Sequence, residues 1–210
     1  MNKMPDSIKK SLRKYFIMGS QNCTRNPVEI LEAAVEAGIT AFQFREKGEG
    51  SLKGEAKIEL GKQLQAVCHK AGIPFIVNDD VELVDLLDAD GIHVGQDDQS
   101  AQDLRRVFPN KWIGLSVSNA NELENSPLAY VDYIGAGPIF HTSTKTDAKA
   151  AVGLKWISTL RREFPSLPIV GIGGITTENA ASVMEAGADG VSIITAITRA
   201  ENIERAVKLL

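Results

Sequence analysis

Short runs of β-branched and aromatic residues alternate along this chain with longer segments whose apolar positions recur every three to four residues. The first run is Tyr15-Phe16-Ile17-Met18, closed by Gly19. Asn26-Pro27-Val28-Glu29 then reads as an N-cap, a proline at the first helical position and an acid in the first turn. The helix it predicts ends near Ala37, where Gly38 can take the left-handed conformation that closes a helix. The pattern repeats. Strands are predicted at 40–45, 74–77, 91–94, 112–116, 131–136, 168–172 and 190–194. Helices are predicted around Ala56–Cys68, Val81–Leu87, Ser100–Phe108, from Asn119, Leu154–Phe164, Thr176–Glu185 and Asn202–Leu210.

Eight strand–helix units in strict alternation imply a parallel sheet, and eight such units close into a (β/α)8 barrel, the TIM-barrel form of the α/β class. Ala37-Gly38-Ile39, Ala71-Gly72-Ile73, Asp90-Gly91-Ile92 and Ala186-Gly187-Ala188 form a refrain where helix hands over to strand. The competing open sheet lacks its dinucleotide fingerprint, a Gly-x-Gly-x-x-Gly after the first strand. No low-complexity linker interrupts the pattern, so a single domain is expected, with residues 1–14 as a helical N-terminal extension and 15–210 as the barrel.

Composition narrows the function classes. With 43% hydrophobic and 24% charged residues over 210 positions, the chain is an ordinary globular one. A net charge of −4 argues against a general nucleic-acid binder, though not against a local basic pocket. No apolar run reaches membrane-span length, and Met1 to Lys14 lacks the apolar core of a secretory signal. Cys23 and Cys68 fit neither a disulfide framework nor a zinc site. A cytoplasmic location is the simplest expectation, and a homo-oligomer is left open.

In a barrel the chemistry sits where strands end. There this chain places Arg45-Glu46-Lys47, Asn78-Asp79-Asp80, Gln96-Asp97-Asp98, Ser116, His141 to Lys145, Gly173-Gly174 and Ile194-Thr195. Arg45, Lys47 and Lys145 beside Asp79 and Asp98 point to a polyphosphate bound with Mg2+, which takes one or two carboxylates plus phosphate oxygens and water. The Gly171-Ile172-Gly173-Gly174 turn, Thr176 and the end of the eighth strand point to a second anion site, for a monophosphate. Each group also has a plainer reading. Asp79 and Asp80 could cap a helix, Asp97 and Asp98 could face a helix dipole, and Arg45 and Lys47 could pair with Glu46 or Glu49 on the surface. His93 reads as a barrel-interior histidine in a structural role, and His141 as a sixth-loop residue that nothing requires at the site.

Taken together, Gln43-Phe44-Arg45-Glu46-Lys47, Asn78-Asp79-Asp80, Gly91-Ile92-His93-Val94-Gly95-Gln96-Asp97-Asp98, Gly137-Pro138-Ile139-Phe140 with Thr142-Ser143-Thr144-Lys145, and Gly171-Ile172-Gly173-Gly174-Ile175 resemble thiamin phosphate synthase, in order and from Tyr15 to the end. The resemblance implies coupling of 4-amino-2-methyl-5-hydroxymethylpyrimidine diphosphate to a thiazole phosphate, carboxylated or plain. The products are thiamin phosphate and pyrophosphate. It further implies that Gln43, Phe44, Arg45, Glu46, Lys47, Asn78, Ser116 and Lys145 bind the pyrimidine diphosphate, with Arg45, Lys47, Ser116 and Lys145 catalytic. Asp79 and Asp98 hold Mg2+. Thr142, Ser143, Thr144, Gly174, Ile194 and Thr195 bind the thiazole phosphate. Two positions depart from the family's frequent pattern: His141 stands where a proline is common, and Ser118 where a histidine is common. The alternatives on the same barrel are a thiazole tautomerase, which needs no diphosphate leaving group, and a non-catalytic paralogue that binds a phosphate ligand.

Overall fold

A computed structural model of the chain describes residues 5–142, 144 and 149–210. Its eight strands are β1 Lys14–Met18, β2 Ala41–Phe44, β3 Phe75–Asn78, β4 Gly91–Val94, β5 Trp112–Val117, β6 Tyr133–Ala136, β7 Ile169–Ile172 and β8 Gly190–Ile193. They pair in chain order, all parallel, and β1 also pairs with β8, so the sheet is a closed barrel. The expected (β/α)8 architecture is the one observed.

Closure divides each strand into two faces, because successive side chains point to opposite sides. The outward set, including Phe16, Phe42, Phe44, Val77, Ile92, Ile113, Ile134, Val191 and Ile193, packs beneath the helices in the main core. The helices named here by range are α1 Pro5–Ser11, α2 Pro27–Glu36, α3 Gly54–Ala71, α4 Glu82–Leu86, α5 Ala101–Val107, α6 Ala120–Asn125, α7 Leu154–Glu163, α8 Ala180–Glu185, α9 Thr195–Thr198 and α10 Ile203–Lys208. A second core fills the barrel: Tyr15, Ala41, Ile76, Trp112, Tyr133 and Val170 from the strands, with Ile8 of α1 and Leu12 just beyond it. The apolar positions of the N-terminal helix thus join the interior of the barrel rather than the outer layer.

Local signals in the sequence act as expected at several helix starts. Asn26 accepts from the Val28 N–H at 2.9 Å, Ser100 from the Asp103 N–H at 3.2 Å, Asn119 from the Glu122 N–H at 3.0 Å and Asn202 from the Arg205 N–H at 2.8 Å. Gly72 ends α3 at φ 69°. The seventh unit differs from expectation. Thr176 caps only an irregular turn, with its Oγ1 accepting from Glu178 N–H at 3.2 Å and its own N–H bound to Asn179 Oδ1 at 2.8 Å, and α8 starts at Ala180.

Every odd strand begins with the same device. The N–H of its first or second residue is bound by a side chain that precedes the next strand: Lys14 by Thr40 at 2.8 Å, Phe75 by Asp90 at 2.9 Å, Ile113 by Asp132 at 2.8 Å and Ile169 by Asp189 at 2.9 Å. In the last two, an arginine completes the device. Leu-Arg-Arg-x-Phe-Pro occurs from Leu104 and again from Leu160. Arg105 binds Asp132 at 2.5 Å and the carbonyl of Lys111 at 2.9 Å, while Arg161 binds Asp189 and the carbonyl of Leu167 at 3.0 Å. These clamps lie at the N-terminal end of the barrel, where stability rather than chemistry is built.

Candidate active site

At the opposite end the barrel opens into a cavity of about 580 Å3. The β2 end supplies Gln43, Arg45 and Lys47, the β3 end Asn78 and Asp79, the β4 end Gln96 and Asp98, and β5 supplies Ser116. Across the ring lie Thr142, Thr144, Gly173, Gly174, Ile194 and Thr195. The residues read from the sequence as two anion sites therefore face one another across a single mouth. Ser143 and Lys145 lie outside the described residues.

Two expected site residues do not face the cavity. Phe44 points outward, is 1% exposed, and stacks on Phe75 with ring centroids 6.2 Å apart. Glu46 is 5% exposed and accepts from the Ser20 N–H at 2.7 Å, Ser20 Oγ at 2.5 Å and the Leu52 N–H at 2.6 Å. It ties together the loops after β1 and β2. The reason is the two-residue period of the strand: if Gln43, Arg45 and Lys47 point in, their alternating neighbours point out.

Lys47, Asp79, Asp98 and Asp80 at the β2–β4 ends are paired. The Lys47 ammonium rests on the Asp79 carboxylate and lies 4.0 Å from Asp98 Oδ1. The hydrogen bond to Asp79 raises the Lys47 pKa; burial and Arg45 oppose, and the charges of Asp79 and Asp98 support. Asp98 also accepts from the Gly95 N–H at 2.7 Å, and Asp80 pairs with Lys57 at 2.7 Å. The helix-cap reading of Asp79 does not hold: α4 is preceded by Val81 with no side-chain cap, and Asp79 has φ 49°. Two carboxylates already share one cation, and this is the donor set Mg2+ takes when phosphate oxygens and water complete its shell. Among the described residues no group of three or more His, Cys, Asp and Glu could hold a metal by itself. Asp79 and Asp98 thus fit an ion bound jointly with a ligand.

The facing side is built from backbone. Gly173 and Gly174 have φ 94° and 64°. A Cβ on Gly174 would stand 2.5 Å from the His141 carbonyl oxygen, so the loop after β6 lies directly on this turn. Thr142 Oγ1 accepts from the Thr144 N–H at 3.3 Å, and His141 lines the cavity. Ser118 is buried, and its N–H donates to Glu122 Oε2 at 2.8 Å. Lys149 reaches Glu122 Oε1 at 2.8 Å. Burial pushes the Glu122 carboxyl up, but the Lys149 hydrogen bond, the Ser118 N–H and Asn119 together hold it below its ordinary value.

The sequence reading gave no site role to Tyr15 or Tyr133, and it named Gln96 only as a strand-end group. The two tyrosines stand low in the barrel, with hydroxyl oxygens 2.9 Å apart, and His93 joins Tyr133 to Ser116. The available signal was their parity, since Tyr15 and Tyr133 are inward positions as Gln43 and Ser116 are. Gln96 donates to the Ser116 carbonyl at 2.7 Å.

The family model described as thiamine monophosphate synthase matches residues 14–197. The chain belongs to the thiamine monophosphate synthase family. It is therefore an enzyme of the transferase class. It is 63% identical over 202 residues to the thiamine-phosphate synthase of Oceanobacillus iheyensis, covering 96% of this chain and 98% of that one. It is 50% identical over 203 residues to the thiamine-phosphate synthase of Bacillus velezensis, covering 97% and 91%. Its structure matches that of thiamine phosphate pyrophosphorylase from Pyrococcus furiosus with a TM-score of 0.85 at 30% identity, over 97% and 95% of the two chains. Among the described residues no helix is long and apolar enough to cross a membrane.

Proposed function

We propose that this member of the family couples 4-amino-2-methyl-5-hydroxymethylpyrimidine diphosphate to a thiazole phosphate, releasing pyrophosphate and forming thiamin phosphate. The observation that carries this reading is that two unlike sets of residues face each other across one mouth. Arg45, Lys47, Asp79 and Asp98 stand on one side, and the Gly173-Gly174 turn with Thr142, Thr144 and Thr195 on the other. A proton-shifting tautomerase has no use for the first set.

In this reading Gln43, Arg45, Lys47, Asn78 and Ser116 bind the pyrimidine diphosphate, together with Lys145. Asp79 and Asp98 would hold Mg2+, which when bound neutralises charge on the diphosphate. The bond between the methylene carbon and the diphosphate oxygen breaks with its electron pair going to the diphosphate. Arg45, Lys47 and Lys145 take up that charge, and the electron-rich aminopyrimidine carries the cation left behind. The thiazole nitrogen, positioned through its phosphate by Thr142, Ser143, Thr144, Gly174, Ile194 and Thr195, then forms the new bond to carbon. No covalent enzyme intermediate is needed, and catalysis rests on positioning and electrostatics.

The test is pyrophosphate release by the purified protein from the two substrates, each alone and together, with Mg2+ or with a chelator. Release that requires both substrates and the metal is expected. No release from the complete mixture overturns the reading, and release from the pyrimidine diphosphate alone reduces it to a hydrolase.

A further inference from the structure

The barrel interior contains a continuous line of side-chain hydrogen bonds. Gln43 Nε2 donates to the Tyr15 hydroxyl at 2.8 Å. The Tyr15 and Tyr133 hydroxyls are 2.9 Å apart, Tyr133 Oη is 3.1 Å from His93 Nδ1, and His93 Nε2 is 2.9 Å from Ser116 Oγ. Both ends, Gln43 and Ser116, reach the cavity. The backbone makes room for this line: a Cβ on Gly114 would stand 2.2 Å from Tyr133 Cζ and 2.4 Å from His93 Nδ1.

Hydrogen counting gives the line a direction. A phenol donates one hydrogen, and a neutral imidazole carries one. Burial keeps both phenols protonated by raising their pKa values. With the Gln43 amide hydrogen on Tyr15, Tyr15 donates to Tyr133 and Tyr133 donates to His93 Nδ1. The imidazole hydrogen is then on Nε2 and goes to Ser116 Oγ, which leaves the serine hydrogen for the cavity. Turning the Gln43 amide over reverses every bond. Ser116 would then donate to His93 and offer the cavity lone pairs only.

The substrates proposed above select between these two orders. An aminopyrimidine presents amino N–H donors beside ring-nitrogen acceptors, and a diphosphate presents only acceptors, so the diphosphate end decides. The first order offers an acceptor, Gln43 Oε1, and a donor, Ser116 O–H. The reversed order sets the Ser116 lone pairs against the lone pairs of the diphosphate. Resting on the synthase reading, we propose that Tyr133 and His93 are positioning residues. They hold the line in one direction, with the imidazole neutral and its one hydrogen on Nε2, so that the Ser116 hydroxyl donates to the departing diphosphate.

The tautomer can be read on the free protein by 15N NMR with labelled histidine, assigning His93 by loss of its signals in His93→Gln. A bare Nδ1 and a protonated Nε2 are expected, and a protonated Nδ1 overturns the proposal. In steady-state kinetics Tyr133→Phe should lower kcat about tenfold or more, while KM for each substrate stays within about threefold, since one donor to developing charge is worth about 10²-fold or more. His93→Leu should fall as far as Ser116→Ala. His93→Gln, which retains an acceptor for Tyr133 and an amide N–H for Ser116, should recover much of that loss. Values of kcat within about twofold of wild type in both Tyr133→Phe and His93→Leu overturn the positioning role. A wild-type protein that releases no pyrophosphate sinks the synthase reading, and the tautomer spectrum still decides the direction of the line.

Discussion

Lys47 and Asp79, one following β2 and the other following β3, form an ion pair whose ammonium also lies 4.0 Å from Asp98. The pair is partly exposed, so its worth to folding is at most about 1 kcal/mol. Asp79 occupies the left-handed region at φ 49°, a conformation that asparagine tolerates as well as aspartate. Asp79→Asn should therefore keep the backbone and remove only the charge. Turnover is expected to fall about 10²-fold or more, with a higher Mg2+ requirement, while stability stays within about 1 kcal/mol. Steady-state pyrophosphate release across a Mg2+ series, with urea unfolding of the same preparation, checks both halves.

Gly114 has an interior role. A methyl group there would collide with the Tyr133 ring and the His93 imidazole, both of which are held in the buried line. Gly114→Ala should destabilise the protein by about 1–3 kcal/mol and lower turnover in the molecules that still fold. Thermal unfolding and activity at a temperature well below the transition separate the two effects.

Asp132 receives both the Arg105 guanidinium and the Ile113 N–H, far from the cavity. Truncation leaves a partly buried guanidinium without its carboxylate and a strand start without its acceptor. Asp132→Ala should cost about 2–3 kcal/mol in denaturant unfolding, with kcat nearly unchanged in the folded enzyme. Comparable loss of kcat and of stability would contradict the placement of this clamp at the structural end of the barrel.

The Glu122 carboxyl is held below its ordinary value of 4.5 by Lys149 and the Ser118 N–H, against burial. In the acid range the unfolded state then binds more protons at this site than the folded state does. The contribution is complete above the ordinary value and is lost as pH falls through the depressed one. The difference in melting temperature between wild type and Glu122→Gln should therefore shrink as pH drops from about 6 towards 3. A gap that widened on acidification would contradict the sign.

Cys23 is half-buried, and burial, with Glu46 nearby, pushes its thiol up to about 11; burial also raises Cys68. Both thiols stay protonated at neutral pH. Alkylation of the native enzyme should be slow and should leave turnover unchanged, whereas urea-unfolded chain should react at both positions. Rapid labelling with parallel loss of activity would argue for a functional thiol.

The alternation of β-branched runs with helical periodicity was enough to specify eight βα units and hence the barrel, because period two and period 3.6 are local properties of the backbone. Caps such as Asn26, Ser100 and Asn119 were legible for the same reason: donor and acceptor lie two or three residues apart. The rim residues could be found from one further rule, that barrel chemistry sits after the strands.

What the sequence could not supply was the face on which each rim residue lands. Gln43-Phe44-Arg45-Glu46-Lys47 is continuous as text, yet closure sends Phe44 into the outer core and Glu46 onto Ser20, leaving Gln43, Arg45 and Lys47 for the cavity. Nor could it show which distant residues meet. Tyr15 and Tyr133 are 118 positions apart and become hydrogen-bond partners only because β1 and β6 point side chains into the same narrow interior. Local structure follows from short-range periodicity and capping. Parity and partnership across the ring follow from closing the sheet, which fixes the inside of every strand at once.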